Sequence, residues 1–517
     1  MKKIIPYIVL FFTMAAYSQS YQWLKTVSIG AANTQTTGYV TVSDHSGNIY
    51  FSGFKDTPIY YNDLLGNIYY NKYNTNGDVL FSKVFTGKCN PYAIKSDSQG
   101  NIIIAIGYLD SVTIDTTFIA APNNNMNYLV AKLDTNGNLL WYKRLSITDA
   151  DVADFRAIAT DGDDAIYIGY DSFMDSYITK YSASGSELLN IEQQNVNRIT
   201  SVAVDTEGNI YAAGGCAGID SKYAGVDVPT DFNYNSYVVK YSPQGTYQWL
   251  KYIDDITCPD SPTVLANTPD EIYFSSYLFV NTGFDDIEIE GPGDFSEDIF
   301  ISKLNASGNF QWVREASGTG SVTIGNRNYL NLDSMGNIYF TGSTSGTLNW
   351  GNGISTSIIS TTIQNDALVL KYNSDGNVLF AKTAGGPSED KIDCITINEL
   401  GDIFISGIAT GNVNFDTVEH LAPEFESYPF LAKISHGTAG IKIPERENIF
   451  LYPNPTSDNI EIKGIDAGIK GIIITTLGQK VIDFNTTPAA PISIGSLSAG
   501  IYFIKIEGNK PLKFIKQ

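Results

Sequence analysis

Apolar and polar residues alternate along most of this chain, and short turns ending in glycine interrupt the alternation at regular intervals. The clearest stretch is YLVAKLDTNGNLLWYKR, from Tyr128 to Arg144. Leu129, Ala131 and Leu133 fall on one side and Val130 and Lys132 on the other, a period of two that only an extended strand satisfies. Asp134 can turn its carboxylate onto nearby backbone N–H groups and Gly137 can take positive φ, so DTNG predicts a type I turn closing into a glycine bulge. Leu139 and Trp141 share one face of the returning strand, which completes a hairpin.

Variants of this hairpin begin at Tyr69 (YYNKYNTNGDVLFSK), Tyr177 (YITKYSASGSELLN), Tyr237 (YVVKYSPQGTYQWLK), Phe300 (FISKLNASGNFQWVR) and Leu368 (LVLKYNSDGNVLFAK). A further copy, FLAKISHG from Phe430, stops at its glycine. Between them lies a second repeated hairpin, in which a strand ends in Asp, a tight turn ends in Gly, and a strand like NIYFSG follows. Copies begin at Thr41, Lys95, Ala203, Asn331 and Thr396, with degraded versions at Ala159 and Ala266. Two hairpins per unit predict four antiparallel strands per unit. Seven units spaced by about 60 residues, against roughly 40 to 50 for common propeller blades, predict a seven-bladed β-propeller.

The seventh unit lacks its last strand, and the missing piece stands at the other end of the chain. Tyr21 to Lys25 reads YQWLK, identical to Tyr247 to Lys251 in the last strand of the fourth unit. The N-terminal strand is therefore expected to close the ring and remove the exposed edge of an open array. Tight Gly turns fall on one face of such a disc, and the long connections (54–67, 108–127, 216–235, 277–297 and 344–365) on the other, where binding is expected.

Before the repeats, Lys2 and Lys3 precede an apolar run from Ile4 to Ala16 with small residues at Ala16 and Ser18, which reads as a secretory signal over 1–18. The run is shorter than a membrane span of about 20 residues, so no transmembrane segment is expected in the mature chain. The 517 residues carry a net charge of −22 with 43% hydrophobic and 12% aromatic content, the composition of a folded, acidic, β-rich protein and not of a nucleic-acid binder.

The full pattern, in which short hydrophobic-Asp strands precede an apolar-Lys strand, a Gly turn, an aromatic strand and D-x-x-G-N-I-Y, resembles the bacterial propeller family of SBBP repeats over about Tyr21 to Ser435. That resemblance implies a fold and no shared chemistry. A connector follows over 436–448. From Ile449 onward, LYPNPTSDNIEIKG, TTLGQKV at Thr475, LSAGIYFIKIEG at Leu497 and the basic end KFIKQ together resemble the type A C-terminal sorting domain of Bacteroidota type IX secretion. The resemblance implies a small β-sandwich over 449–517. It also implies recognition by the outer-membrane translocon and removal by a sortase-like peptidase, leaving the protein secreted or on the outer cell surface.

The residues that could carry chemistry are few. Lys72, Lys132, Lys180, Lys240, Lys303, Lys371 and Lys433 recur in every unit and are expected to meet the carboxylate of an adjacent turn, not to form a polyanion-binding ring. Asp44, Asp97, Asp161, Asp205 and Asp333 start turns where Asn or Ser can replace Asp, which predicts backbone capping. No cofactor is indicated; calcium is the open metal, with Asp285, Asp286, Glu288 and Glu290 as candidate ligands, although no loop completes an EF-hand. Trp23, Trp141, Trp249 and Trp312 share one repeated position and are expected between units. Trp350 lies outside the repeat and has two readings, stacking on a sugar or packing its insertion down. Cys216 and Cys258 fall in connections of neighbouring units and form the candidate disulfide, whereas Cys394 reads as a buried thiol. His45, His420 and His436 form no cluster, and no Ser-His-Asp set, phosphate loop or C-x-x-C pair is present.

These observations favour a non-catalytic exported propeller that binds a glycan or a surface protein through its long connections. The alternatives are a polysaccharide-acting enzyme using carboxylates from several insertions, and a purely structural surface or adhesion component.

Overall fold

The computed structural model describes residues 19–27, 34–58, 65–231, 234–254, 261–292, 298–358, 364–424, 426–435, 450–452, 454–463, 469–475, 479–487, 490–506 and 512–517. Every described element is a β-strand. They fall into two compact units, one within Tyr17–Gly437 and one within Thr438–Gln517. The expected signal segment and the connector over 436–448 lie outside the described residues.

In the larger unit, antiparallel four-strand arrays recur in chain order. Val40–Ser43, Ile49–Lys55, Gly66–Tyr73 and the first half of Val79–Ser96 pair in succession. The second half of that 18-residue strand starts the next array, with Ile102–Ile114, Asn127–Leu133 and Leu139–Arg144. Glu187–Val204 is shared in the same way, ending the array of Asp154–Thr160, Ile166–Asp171 and Ser176–Tyr181 and opening that of Ile210–Tyr223, Asn235–Tyr241 and Tyr247–Asp254. Thr263–Ala266 to Phe310–Arg314 follow, then the array ending at Val378–Ala384. In the last array, Lys391–Ile397, Ile403–Thr410 and Ser427–Ser435 are joined by Ser20–Thr26, the first strand of the chain. Leu24 stands opposite Ala432 and Trp23 opposite Lys433.

The turn chemistry accounts for the hairpins. In the DTNG turn the Gly137 N–H donates to the Asp134 carbonyl at 2.9 Å, and the Asp134 carboxylate accepts from the Asn136 and Asn138 N–H groups. Gly137 has φ 74° and the register shifts after Lys132, as a glycine bulge requires. The degraded turn at Asp161 replaces glycine with Asp164 at φ 60°. The Asp164 carboxylate accepts from both the N–H and the hydroxyl of Ser98 at 2.7 and 2.6 Å, bonds that glycine could not supply.

Central strands are apolar on both sides because each array is packed on both faces. Ile102, Ile104 and Ile106 enter one core cluster, while Ile103 and Ala105 enter another. All five are fully buried, each isoleucine contributing about 1.5–3 kcal/mol of transfer free energy.

The joints between arrays repeat one device. The Trp23 indole N–H donates to the Thr75 carbonyl at 3.2 Å, Trp141 to Ala183 at 3.2 Å, Trp249 to Ala306 at 2.9 Å and Trp312 to Ser374 at 3.1 Å. Each indole covers the turn glycine two residues further on. A Cβ on Gly376 would stand 2.7 Å from the Trp312 ring, and one on Gly77 3.1 Å from Trp23. Trp23 thus makes the same joint between the last array and the first that Trp312 makes between two arrays consecutive in the chain.

The smaller unit has a three-stranded sheet of Phe450–Tyr452, Asn459–Lys463 and Ile492–Ser493. A four-stranded sheet orders Lys480–Thr486, Ile469–Thr475, Gly500–Ile506 and Leu512–Lys516. Ile460, Ile462, Ile473, Ile504 and Phe514 form its core.

Candidate functional site

In each array the tight turns after the first and third strands lie at one edge and the other connections at the opposite edge. The first strand of each array is reached from a connection at this second edge. Those first strands assemble a mouth there, from residues far apart in sequence.

The mouth is a cavity of about 250 Å³ whose lining includes Tyr92, Tyr128, Asp154, Arg156, Phe173 and Arg198. The Arg327 guanidinium lies between two tyrosines, 4.4 Å from the Tyr39 ring centroid and 5.1 Å from that of Tyr92. Tyr92 in turn packs on Tyr128 at 5.7 Å, and the Tyr128 hydroxyl donates to the Ala153 carbonyl at 2.8 Å. This stack fixes the rings and the cation together, since a guanidinium over a ring face is held electrostatically.

Arg156 pairs with Asp154 at 2.5 Å, and Asp154 stands opposite Asp171 in the strand register. Burial, with Asp154 beside it, pushes Asp171 up to about 7. Its carboxylate accepts from the Ile199 and Phe173 N–H groups. Phe173 itself has φ 64° and is 56% exposed at the rim. An aromatic ring held in a strained backbone and presented to solvent is a feature found at ligand-contacting sites.

The recurring lysines are turned to structural use. Lys132 pairs with Asp97 at 2.9 Å, Lys371 with Asp333 at 3.1 Å and Lys433 with Asp402 at 2.8 Å; Lys72, Lys180 and Lys303 make longer pairs with Asp44, Asp161 and Glu271. Lys240 lies 5.4 Å from the Tyr211 ring, whose hydroxyl donates to Asp205. Several reach onward to the next array, Lys72 to the Thr135 carbonyl and Lys433 back to that of Thr75.

Trp350 is buried at 5% exposure in the hydrophobic core, and its indole donates to Thr356 Oγ1 at 3.1 Å. This is the packing alternative, with no ring face left for a sugar. Cys216 is disulfide-bonded, and its expected partner Cys258 lies outside the described residues. Cys89 and Cys394 are free buried thiols, the latter pushed up to about 11 by burial. Among the described residues no three His, Cys, Asp or Glu side chains are grouped to hold a metal ion. Of the candidate calcium ligands, Asp285 is occupied by Lys251 at 2.5 Å and by the Phe310 N–H. His45 pairs with Glu399, His420 packs on Tyr428, and His436 lies outside the described residues.

Sequence reasoning missed the mouth. One signal was available: the chain has only six arginines, and Arg156, Arg198 and Arg327 are half of them.

The same end of the arrays sets a pH dependence. Burial pushes Asp298 and Asp390 up to about 7 and Asp366 up to about 6, alongside Asp171. In the unfolded chain these groups ionise near 3.9, so between about pH 4 and 7 the native state binds more protons and stability falls as pH rises. Asp97 and Asp333 sit below their ordinary value, despite burial, through bonds from Lys132 and Asn101 and from Asn337 and Lys371. Their contribution is lost in acid. Urea unfolding across pH 3 to 8 is expected to give maximal stability near pH 4 to 5, and Asp171→Asn should flatten the decline above it. A maximum at pH 7 or higher would contradict these carboxyl environments.

Residues 450–517 match the family model of the secretion system C-terminal sorting domain, so the chain ends in a sorting domain of that kind. Among curated proteins, an uncharacterized WD repeat-containing protein of Acanthamoeba polyphaga mimivirus is 24% identical over 259 residues. The match takes in 46% of this chain, and the chain spans only 16% of that relative's length. Among solved structures, a streptogramin B lyase aligns at 12% identity over 80% of this chain and 98% of its own, with a TM-score of 0.41. The Dos1 propeller aligns at 8% identity over 81% and 95%, with a TM-score of 0.42. A protein of unknown function from Dyadobacter fermentans aligns at 9% identity over 80% and 99%, with a TM-score of 0.37. Likenesses of this size assign no function. No helix among the described residues is long and apolar enough to cross a membrane.

Proposed function

We propose that this chain is an exported, non-catalytic protein of the cell surface or medium that binds a glycan or a surface protein at the mouth of a seven-bladed propeller of the SBBP type. In this reading residues 1–18 are the signal peptide, 19–435 the propeller closed by Ser20–Thr26, 436–448 the linker and 449–517 a small sandwich. The sandwich is the signal for the type IX translocon and its sortase-like peptidase. The pairing of the first strand with the last and the recurrence of the Trp–carbonyl joint support the closed ring. Cys216 is proposed to bond Cys258, since the two other cysteines are free.

The observation that carries the binding reading is the Tyr39–Arg327–Tyr92 stack beside an exposed Phe173. The exposed Phe173 ring suits a sugar ring or a peptide side chain, and the guanidinium held between the buried Tyr39 and the half-buried Tyr92 is pre-ordered, which removes an entropy cost of binding. Arg327→Ala is expected to weaken binding on a glycan or cell-surface array at least ten-fold while leaving far-UV circular dichroism unchanged. Undiminished binding would move the site elsewhere.

A second reading, a polysaccharide-cleaving enzyme, is favoured by the Asp154–Asp171 pair, in which a carboxyl held near 7 faces one that pairs with Arg156. Release of reducing ends from a bound polysaccharide, lost in Asp171→Asn, would replace the first reading.

A further inference from the structure

Below the mouth, the first strands enclose a smaller cavity of about 60 Å³, room for about four waters or one oxyanion. Its charged lining is one-sided. Lys95, Arg156 and Arg327 face it, with Asn328, Thr200 and Thr263 among the polar groups, and no described lining residue is Asp or Glu. In a chain of net charge −22 this is the opposite of the average surface.

Two of these cations lack the partners that such groups ordinarily have. Six of the seven recurring lysines pair with a carboxylate, but Lys95 makes neither an ion pair nor a hydrogen bond among the described residues; the titrating group beside it is the Cys394 thiol, which bonds to the Thr41 carbonyl. Lys95 is half-buried and lines the cavity, and the surrounding protein desolvates its amine and lowers its pKa. Arg327 independently leaves its Nε buried without a hydrogen-bond partner. Nearby carboxylates do not cancel this charge. Asp154 is engaged by Arg156, and Asp393, beside Arg327 and Lys391, is raised by burial and lies outside the cavity lining. A buried ammonium without a counter-ion is destabilising, and an anion in the cavity offsets that.

We propose that the channel below the mouth is an oxyanion site, which receives one carboxylate, sulfate or phosphate group between Lys95 and Arg327. This rests on the mouth being the ligand entrance and names the ligand's acidic group. A uronic acid or sulfated sugar would place its ring against the exposed Phe173 at the rim and its anion in the cavity. A free inorganic anion would fill the cavity alone.

Lys95→Met and Lys95→Gln test this without touching the ring stack. In buffer without sulfate, phosphate or carboxylate, Lys95→Met is expected to melt at or above the wild-type temperature, because it removes an unpaired buried charge. Titration calorimetry at constant ionic strength should show saturable binding of sodium sulfate, glucuronate or both to the wild type, and at least ten-fold weaker binding to each variant. Glucose should be indifferent to the substitution. Binding of sulfate alone assigns an inorganic source, and binding of glucuronate assigns an acidic sugar. No saturable binding of either, or equal affinity in wild type and both variants, would mean that the cavity holds water only and would overturn the proposal. Glycan-array binding that disappears in Arg327→Ala but persists in Lys95→Met would keep the mouth as the site and reject the anion pocket.

Discussion

Deletion of Ser20–Thr26 is expected to remove most of the stability of the larger unit. Tyr21 is 2% exposed and packs edge-on against Phe415 at 4.8 Å; truncating such a residue to alanine costs about 3–5 kcal/mol. Leu24 packs on the same core cluster, and Trp23 supplies the joint to Thr75 and Gly77. The strand also satisfies the backbone of Ser427–Ser435, which would otherwise become an open edge prone to pairing with other chains. The summed loss reaches the whole net stability of a typical domain, about 5–15 kcal/mol. Thermal melts and size-exclusion chromatography of the deletion variant should show a melting temperature lower by more than 10 °C, with aggregation on warming. Tyr21→Ala should give a smaller loss in the same direction. A deletion variant melting within 2 °C of wild type would mean that the strand merely lies against the protein.

The second large effect concerns export. Removing Leu497 to Gln517 takes away two of the four strands in the main sheet of the sorting domain, together with the fully buried Ile504 and Phe514. What is left cannot close that sheet over Ile460 and Ile473, so the surface that a translocon reads is lost. In a host with this secretion route, surface-exposed or released protein should fall at least ten-fold, with the chain retained in the periplasm. Phe514→Asp should act likewise. Normal display of the truncated chain would show that the C-terminal domain is not what directs it outward.

Much of the architecture was legible because the repeat writes the same local chemistry many times. The DTNG turn, the Lys–turn carboxylate pairing and the matching YQWLK segments at Tyr21 and Tyr247 each report on neighbours that the pattern itself specifies. The expected short insertion strands also exist as small hairpins, as at Val413–Phe415 with Val418–His420. The mouth, where binding is proposed, obeys different logic. Tyr39, Tyr92, Arg156, Arg198 and Arg327 come from five arrays and meet only when the arrays are set side by side, so no local window contains the constellation. Trp350 was ambiguous for a related reason: whether an insertion folds over its own tryptophan depends on Leu348, Thr356 and Val378 around it, which periodicity alone does not place.

The proposed ring closure by the first strand underlies the placement of the channel, its mouth and the ligand proposed for it, and one cross-link tests it. In a Leu24→Cys, Ala432→Cys double variant the new thiols stand directly opposite in an antiparallel pair, where Cα atoms lie about 4.5–5.5 Å apart and can be bridged. Mild oxidation of the native protein should yield a monomer whose digest contains one peptide joining positions 24 and 432, and oxidation in denaturing urea should not. If native oxidation gives only intermolecular dimers or leaves both thiols free, the ring is not closed by this strand.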